Sequence, residues 1–301
     1  MNACVTTTTT TVNINAYWNA FKNELIYGGH MAAMVAPAFI LSVSLMMSMV
    51  PDLHLLAIAY LIPLISYSFD YYKEMNKDIL TNPERAEYMS RNIKIYPYVI
   101  GSYILLLVAL LALTMNINMI VFTAALIISG VVYGKFLKGF TRKIVAFKNI
   151  YTALMWALLG SIMIPIYYSV NIDTFFMLML AFVFLKVILN VMFFDLKDLE
   201  GDREEGLKTL PVVLGKSGAL KFLNGLNLLA FVPLAIGIWM NIVPMYTIML
   251  GALFFYDRYY LKKAAVVDSK ELRSLSYVMA DAEFLLWPVL LAIGIGLFTI
   301  I

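Results

Sequence analysis

TFFMLMLAFVFLKVILNVMFFDLKDLEGDREEGLKTLP, residues 174–211, decides the fold. Its first 21 residues carry one charge, Lys186. The next eleven carry six acids: Asp195, Asp198, Glu200, Asp202, Glu204 and Glu205, about a third of the nineteen in the chain. An apolar run of roughly twenty residues is long enough, as a helix, to cross a hydrocarbon core of about 30 Å. A dense block of carboxylates directly after it belongs at the membrane rim, where water or a cation meets the charge.

The rest of the chain has the same character. It is 62% hydrophobic and 14% charged over 301 residues, which is a membrane composition and overrides a soluble one- or two-domain reading. Apolar runs centre on residues 29–50, 53–73, 94–114, 117–135, 149–170, 174–194, 219–239, 242–260 and 278–300. The reading is an all-α membrane protein of nine transmembrane helices. Of the 22 Lys and Arg, 21 fall before the first run or after the even-numbered ones. The connections at 51–52, 115–116, 171–173 and 240–241 carry none. The positive-inside rule then predicts a cytoplasmic N-terminus and a C-terminus outside. Residues 1–15, with six consecutive threonines, read as a disordered polar tail, and 16–301 as one transmembrane domain. The single Cys4 excludes an intrachain disulfide and a cysteine-rich metal site.

A second acidic set lies on the same predicted side. In SYSFDYYKEMNKDILTNPER, Asp70, Glu74 and Asp78 are spaced i, i+4, i+8, along one helix face. Asp198 and Asp202 share the i, i+4 spacing, with Asp195 one turn earlier. Stacked carboxylates repel and call for a cation between them. Mg²⁺ suits oxygen ligands combined with substrate phosphates. Only His30 and His54 are present, with no HExxH, which argues against zinc hydrolysis. Two facing acidic helices in a membrane predict a site for an apolar substrate with a diphosphate head.

These motifs resemble those of the UbiA-type intramembrane prenyltransferases. DLKDLEGDREEGLKTLPVVLG (residues 195–215) is similar to the aspartate-rich second motif of that superfamily. The similarity is greatest to the chlorophyll synthase and digeranylgeranylglyceryl phosphate synthase branches. The family's first motif is N-D-x-x-D-x-x-x-D, followed by Pro and Arg. Here Asp70 stands for the Asn, Tyr71 for the next Asp and Glu74 for the middle Asp, while Asp78, Pro83 and Arg85 keep the pattern. The resemblance implies nine helices around a central cavity open sideways to lipid. It also implies two Mg²⁺ ions held by Asp70, Glu74, Asp78, Asp195, Asp198 and Asp202. The implied reaction transfers a prenyl group from an isoprenyl diphosphate to a lipophilic acceptor, either an aromatic quinone precursor or a prenylglyceryl phosphate.

Further residues are candidates for substrate contact. Lys186, the one base inside a run, and Asn190 at i+4 lead toward Asp198; Lys186 is read as a diphosphate contact or the partner of an acid. Arg85, Lys138, Arg142 and Tyr133 are candidates for the diphosphate, Arg203 a weaker one, and Lys148 and Asn149 for lining the cavity. Asn23, Glu24 and His30 could face an acceptor; Asp281 and Glu283 read as interface residues. Two other functions use the same acids. A divalent-cation transporter would need acids near the midplane and an outer exit, yet the outer connections carry only Asp52 and Asp173. A non-catalytic prenyl-lipid binder would explain the altered first motif.

Overall fold

The structure, a computed structural model, describes residues 14–133 and 137–300. Residues 1–13 of the predicted tail lie outside the described residues. The described chain is helical throughout: α1 (Ile14–Tyr27), α2 (His30–Ala33), α3 (Val35–Met46), α4 (Leu53–Thr81), α5 (Pro83–Asn92), α6 (Tyr96–Thr114), α7 (Ile117–Val132), α8 (Phe147–Ala157) and α9 (Met163–Tyr168). It continues with α10 (Thr174–Phe194), α11 (Leu199–Glu204), α12 (Leu210–Ala230), α13 (Val232–Trp239), α14 (Ala252–Val266), α15 (Ser269–Leu275) and α16 (Ala282–Ile300).

Six helical stretches are long and apolar enough to cross a membrane: Leu53–Asn76, Tyr96–Thr114, Phe147–Tyr168, Thr174–Phe194, Leu210–Trp239 and Glu271–Phe298. Tyr17–Tyr27 with His30–Met46 makes a seventh if the pair is one span bent by 57°. The bend sits at Gly29, whose φ of +89° is open to glycine at little cost. Two of the nine expected runs fall short. Ile117–Val132 is apolar but has only 16 residues. In the run at 242–260, a 3₁₀ stretch, Met245–Gly251, follows Pro244, and the α-helix starts only at Ala252. That shift brings Asp257, Arg258, Lys262 and Lys263 into α14.

Membrane-type packing explains which faces are covered. α10 packs on α8, α12 and α13, while α16 packs on α3 and the 3₁₀ stretch. At the centre Phe39, Phe182, Phe284 and Trp287 interlock, with Phe182–Trp287 ring centroids 4.7 Å apart and Phe39–Phe284 5.0 Å. A π-helical segment, Leu158–Ile162, turns Gly160 onto Phe39, where a Cβ would meet that ring at 3.0 Å. At the periphery α6 turns Ile104, Leu105, Leu106 and Val108 outward, as a lipid-facing helix does.

Candidate active site

α4 runs five residues past its candidate span Leu53–Asn76, to Thr81, and Asp70 and Glu74 sit in the last two turns of that span, Asp70 exposed and Glu74 half-buried. The side chain of Asp78 lies outside the described residues. Asn82 follows, then Pro83 opens α5, where its missing N–H costs nothing. Tyr277 donates a hydrogen bond to Asn82 Oδ1 at 2.7 Å, tying this motif to the segment leading into α16. The Arg85 guanidinium lies 4.0 Å over the Tyr71 ring, so the residue that replaces the family aspartate holds the family arginine.

In the second motif the helix does not run through. α10 stops at Phe194, Asp195 caps it, and α11 starts after Asp198. The three aspartates stay together because the Asp202 N–H donates to the Asp198 carbonyl at 2.9 Å, closing a single turn. Asp198, Glu200 and Asp202 therefore gather around the N-terminus of this short helix.

Basic and amide groups from α8 stand among these acids. Lys148 Nζ is 2.8 Å from Asp195 Oδ1 and 3.6 Å from Asp202 Oδ2. Asn149 Nδ2 donates to Asp195 Oδ2 at 2.7 Å. Lys197 Nζ reaches both oxygens of Asp198, at 2.8 and 2.7 Å. A separation of 3.6 Å is a charge contact rather than a hydrogen bond, so Asp202 Oδ2 is buried without a hydrogen-bonding partner. Burial pushes the Asp202 carboxyl up to about 6, against the pull of the Lys148 ammonium. Burial also raises Asp195, opposed by the same lysine.

No group of three or more His, Cys, Asp or Glu among the described residues stands close enough to hold a metal ion. The donor chemistry nevertheless fits a hard divalent cation. The polar groups are carboxylate oxygens, and the Asp202 oxygen, buried with a charge contact but no hydrogen bond, has bonding capacity to spare. Hollows of about 360 Å³ by Asp52, His54 and Tyr167 and about 300 Å³ by Leu228, Phe231 and Phe254 lie away from these acids.

The other sequence candidates disperse. Tyr133 stacks on Tyr151 at 5.0 Å, its hydroxyl 3.4 Å from Thr141 Oγ1, near Lys148. Arg142 is exposed at the end of a 3₁₀ turn, and the Lys138 side chain lies outside the described residues. Lys186 is fully buried and reaches no acid of either motif in the described contacts. It pairs with Asp257 of α14 and, at 2.6 Å, with Glu283 of α16. Of the two roles open to Lys186 in the sequence, this is the geometry of an acid's partner. Asp257 went unnoticed in the sequence, although a lone acid in LFFYDRYYL and a lone lysine in another run form a pair worth testing. Asn190 Nδ2 donates to the Ala280 carbonyl at 2.9 Å and to Asp281 Oδ1 at 3.3 Å. Near the first bend, Glu24 accepts from Tyr88 and lies 3.1 Å from His30 Nε2, while His30 Nδ1 lies 2.5 Å from the Tyr60 hydroxyl.

The family model for UbiA prenyltransferases matches residues 34–279, most of the chain. The chain belongs to the UbiA prenyltransferase family. Known UbiA folds agree. A UbiA homolog from Aeropyrum pernix K1 superposes with a TM-score of 0.67 at 14% identity, covering 90% of this chain and 98% of that one. A UbiA homolog from Archaeoglobus fulgidus bound to DMAPP and Mg²⁺ gives 0.57 at 16% identity, covering 88% and 98%. A digeranylgeranylglyceryl phosphate synthase from Haloquadratum walsbyi is 47% identical over 49 residues. That match takes in 15% of this chain and 17% of the relative. The chain is thus an integral membrane protein of a prenyltransferase family.

Proposed function

We propose that this protein transfers a prenyl group from an isoprenyl diphosphate to a lipophilic acceptor, an aromatic quinone precursor or a prenylglyceryl phosphate. The observation that carries the reading is the turn of Asp195, Asp198 and Asp202 at the end of an apolar span, with a buried Asp202 oxygen that makes no hydrogen bond and meets the Lys148 charge. The Archaeoglobus homolog bound to DMAPP and Mg²⁺ supports the donor and the metal. The short match to the Haloquadratum synthase supports the glyceryl phosphate class of acceptor.

In this proposal Asp70, Glu74, Asp78, Asp195, Asp198 and Asp202 hold two Mg²⁺. When bound, the ions neutralise the charge that gathers on the departing diphosphate. Lys148 and Lys197 keep the carboxylates close despite their repulsion. Arg85, Arg142, Lys138 and Tyr133 steady the diphosphate from the surrounding loops. The apolar chain of the donor lies among the helices in a central cavity, where exclusion of water protects an allylic cation. The proposal retains nine crossings in one domain of 16–301, a cytoplasmic N-terminus, a C-terminus outside and an active site facing the cytoplasm, probed by cysteine accessibility at the connections.

The test is incubation of purified protein with Mg²⁺, labelled prenyl diphosphates of several lengths and both acceptor classes, read by mass spectrometry of the lipids. A prenylated acceptor made by wild type and lost in Asp198→Asn is the expected result. Full turnover by that variant sinks the proposal. Cation flux through liposomes would instead support a transporter, and donor binding without turnover a non-catalytic binder.

A further inference from the structure

Prenyl transfer onto a hydroxyl oxygen or a ring carbon releases one proton from the acceptor, and a dry cavity needs a base to take it. The acids of the second motif are committed elsewhere: Asp195 to Lys148 and Asn149, Asp198 to Lys197. They also stand at the rim, where the diphosphate head would lie. In that reading the reacting carbon of the donor would lie deeper, on the membrane side of the head.

Of the carboxylates inside the rim, Asp257 and Glu283 are taken up by Lys186, which leaves Asp281. Asp281 follows a π-helical turn, Ser276–Ala280, a local widening of the kind often found at functional sites. Asn190 holds it from α10, donating to Asp281 Oδ1 at 3.3 Å and to the neighbouring Ala280 carbonyl at 2.9 Å. Asn190 precedes Asp195 by five residues, so it sits about 7.5 Å further into the membrane at 1.5 Å per residue. From α4, Tyr67 and Tyr71 feel the Asp281 charge. Tyr67 precedes Asp70 by three residues, about 4.5 Å deeper by the same rise. Asp281 therefore lies between the two motif helices and about one turn inside them.

The other groups around it are accounted for. Arg85 is stacked on Tyr71, Lys197 is bound to Asp198 and acts on Asp281 at longer range, Tyr277 donates to Asn82, and Glu283 is paired with Lys186. Asp70, three residues after Tyr67 on α4, is exposed. The neighbour that bonds Asp281 is a neutral amide, and the residue as a whole keeps partial exposure. Tyr67, Tyr71 and Trp156 form an aromatic wall beside it, with ring centroids 5.8 Å (Tyr67–Tyr71) and 6.4 Å (Tyr67–Trp156) apart. Such faces attract a developing cation.

We propose that Asp281 is the base of the transfer reaction, receiving the acceptor's proton next to the aromatic wall of Tyr67, Tyr71 and Trp156. This rests on the prenyltransferase reading above. In the step, the donor's C1–O bond breaks and its electron pair leaves with the diphosphate. An oxygen lone pair or ring π pair of the acceptor forms the new bond to C1. The proton displaced from the acceptor moves to an Asp281 carboxylate oxygen and passes later to water.

The experiment compares wild type, Asp281→Asn, Asp281→Glu and Asp198→Asn in detergent, measuring transfer, donor KM, diphosphate release without acceptor, and rate against pH from 5.5 to 9. Asp281→Asn is expected to lower transfer about 100-fold or more, the range of a lost general base. Its donor KM and acceptor-free diphosphate release stay at wild-type values, and its pH profile loses the acid limb that Asp281 contributes. An acceptor analogue with a more acidic hydroxyl recovers part of the rate. Asp281→Glu keeps the charge and is expected to keep the acid limb at a reduced rate. That variant carries the test if the asparagine variant does not fold. Transfer by Asp281→Asn within twofold of wild type, or an Asp281→Glu profile without the limb, overturns the assignment. Wild type that transfers nothing from any donor overturns the functional reading, and the base with it. Loss of diphosphate release in Asp198→Asn but not in Asp281→Asn keeps the two failures apart.

Discussion

The same span carries two clusters of charge built on opposite plans. At Lys186 the cluster is closed: an ammonium and the carboxylates of Asp257 and Glu283 meet with no exposure, locking α10, α14 and α16 together. At the end of the helix the cluster is open. The Asp198 side chain keeps 28% of its exposure, whereas both clusters hold buried carboxylate oxygens that make no hydrogen bond, at Asp202 on one side and at Asp257 and Glu283 on the other, so solvent access is what separates them. Charges that satisfy one another hold helices in place. In the proposed reading, carboxylates that keep solvent access are where a cation is taken up.

The sharpest way to break this comparison is at the open cluster. Asp198→Asn or Asp202→Asn is expected to lower prenyl transfer by about 10³-fold or more, comparable to the loss of a key charge-stabilising group, while the protein still inserts. A turnover assay beside a thermal melt in detergent checks both halves. At the closed cluster the effect moves from activity to stability. Lys186→Met leaves two buried carboxylates without their cation and is expected to cost about 3 kcal/mol. Lys186→Met with Asp257→Leu is expected to recover most of that loss, read by denaturation midpoints of the single and double variants.

pH separates stability from function at Asp202. Burial places its carboxyl at about 6 in the folded chain, against 3.8 for an ordinary aspartate. The folded state thus holds this proton more tightly than the unfolded one. The stability it contributes is present below pH about 4 and lost as pH rises through about 6. Cation binding runs the other way, because below about 6 a proton competes for the carboxylate. Turnover at low Mg²⁺ is expected to fall on acidification below about pH 6, and raised Mg²⁺ is expected to move that limb downward. The smallest effect lies at the other end of the bundle. Asn116 caps α7 by accepting from the Met119 N–H and donates to the Ile166 carbonyl at 2.9 Å. Asn116→Ala is expected to cost about 1 kcal/mol of stability, with the donor KM unchanged.

Spans and motifs were legible because their signals are local: apolar length, charge placement and carboxylate spacing sit in adjacent residues. The end of α10 at Phe194 matches the run at 174–194, but the separate short helix α11 was not legible, since DLKD contains neither Gly nor Pro to announce a break between the two. Nor was the start of α14, which Pro244 and the 3₁₀ stretch delay until Ala252. Partners were least legible. The bond from Lys186 to Asp257 joins residues 71 apart, and only packing brings them together. Lys148 and Asn149 looked like cavity lining, yet they touch the acids directly, because α8 packs along α10.

The loops near the acids are stitched to one another. The Lys208 N–H donates to the Thr141 carbonyl and the Ala146 N–H to the Lys208 carbonyl, both at 2.9 Å. Two rungs of main chain make a single flap of segments that leave different helices. Any movement of one segment must carry the other with it or break both rungs. Spin labels on residues 143 and 205 would then keep a constant mutual distance while both move relative to α10, and independent motion would show that the stitch does not hold.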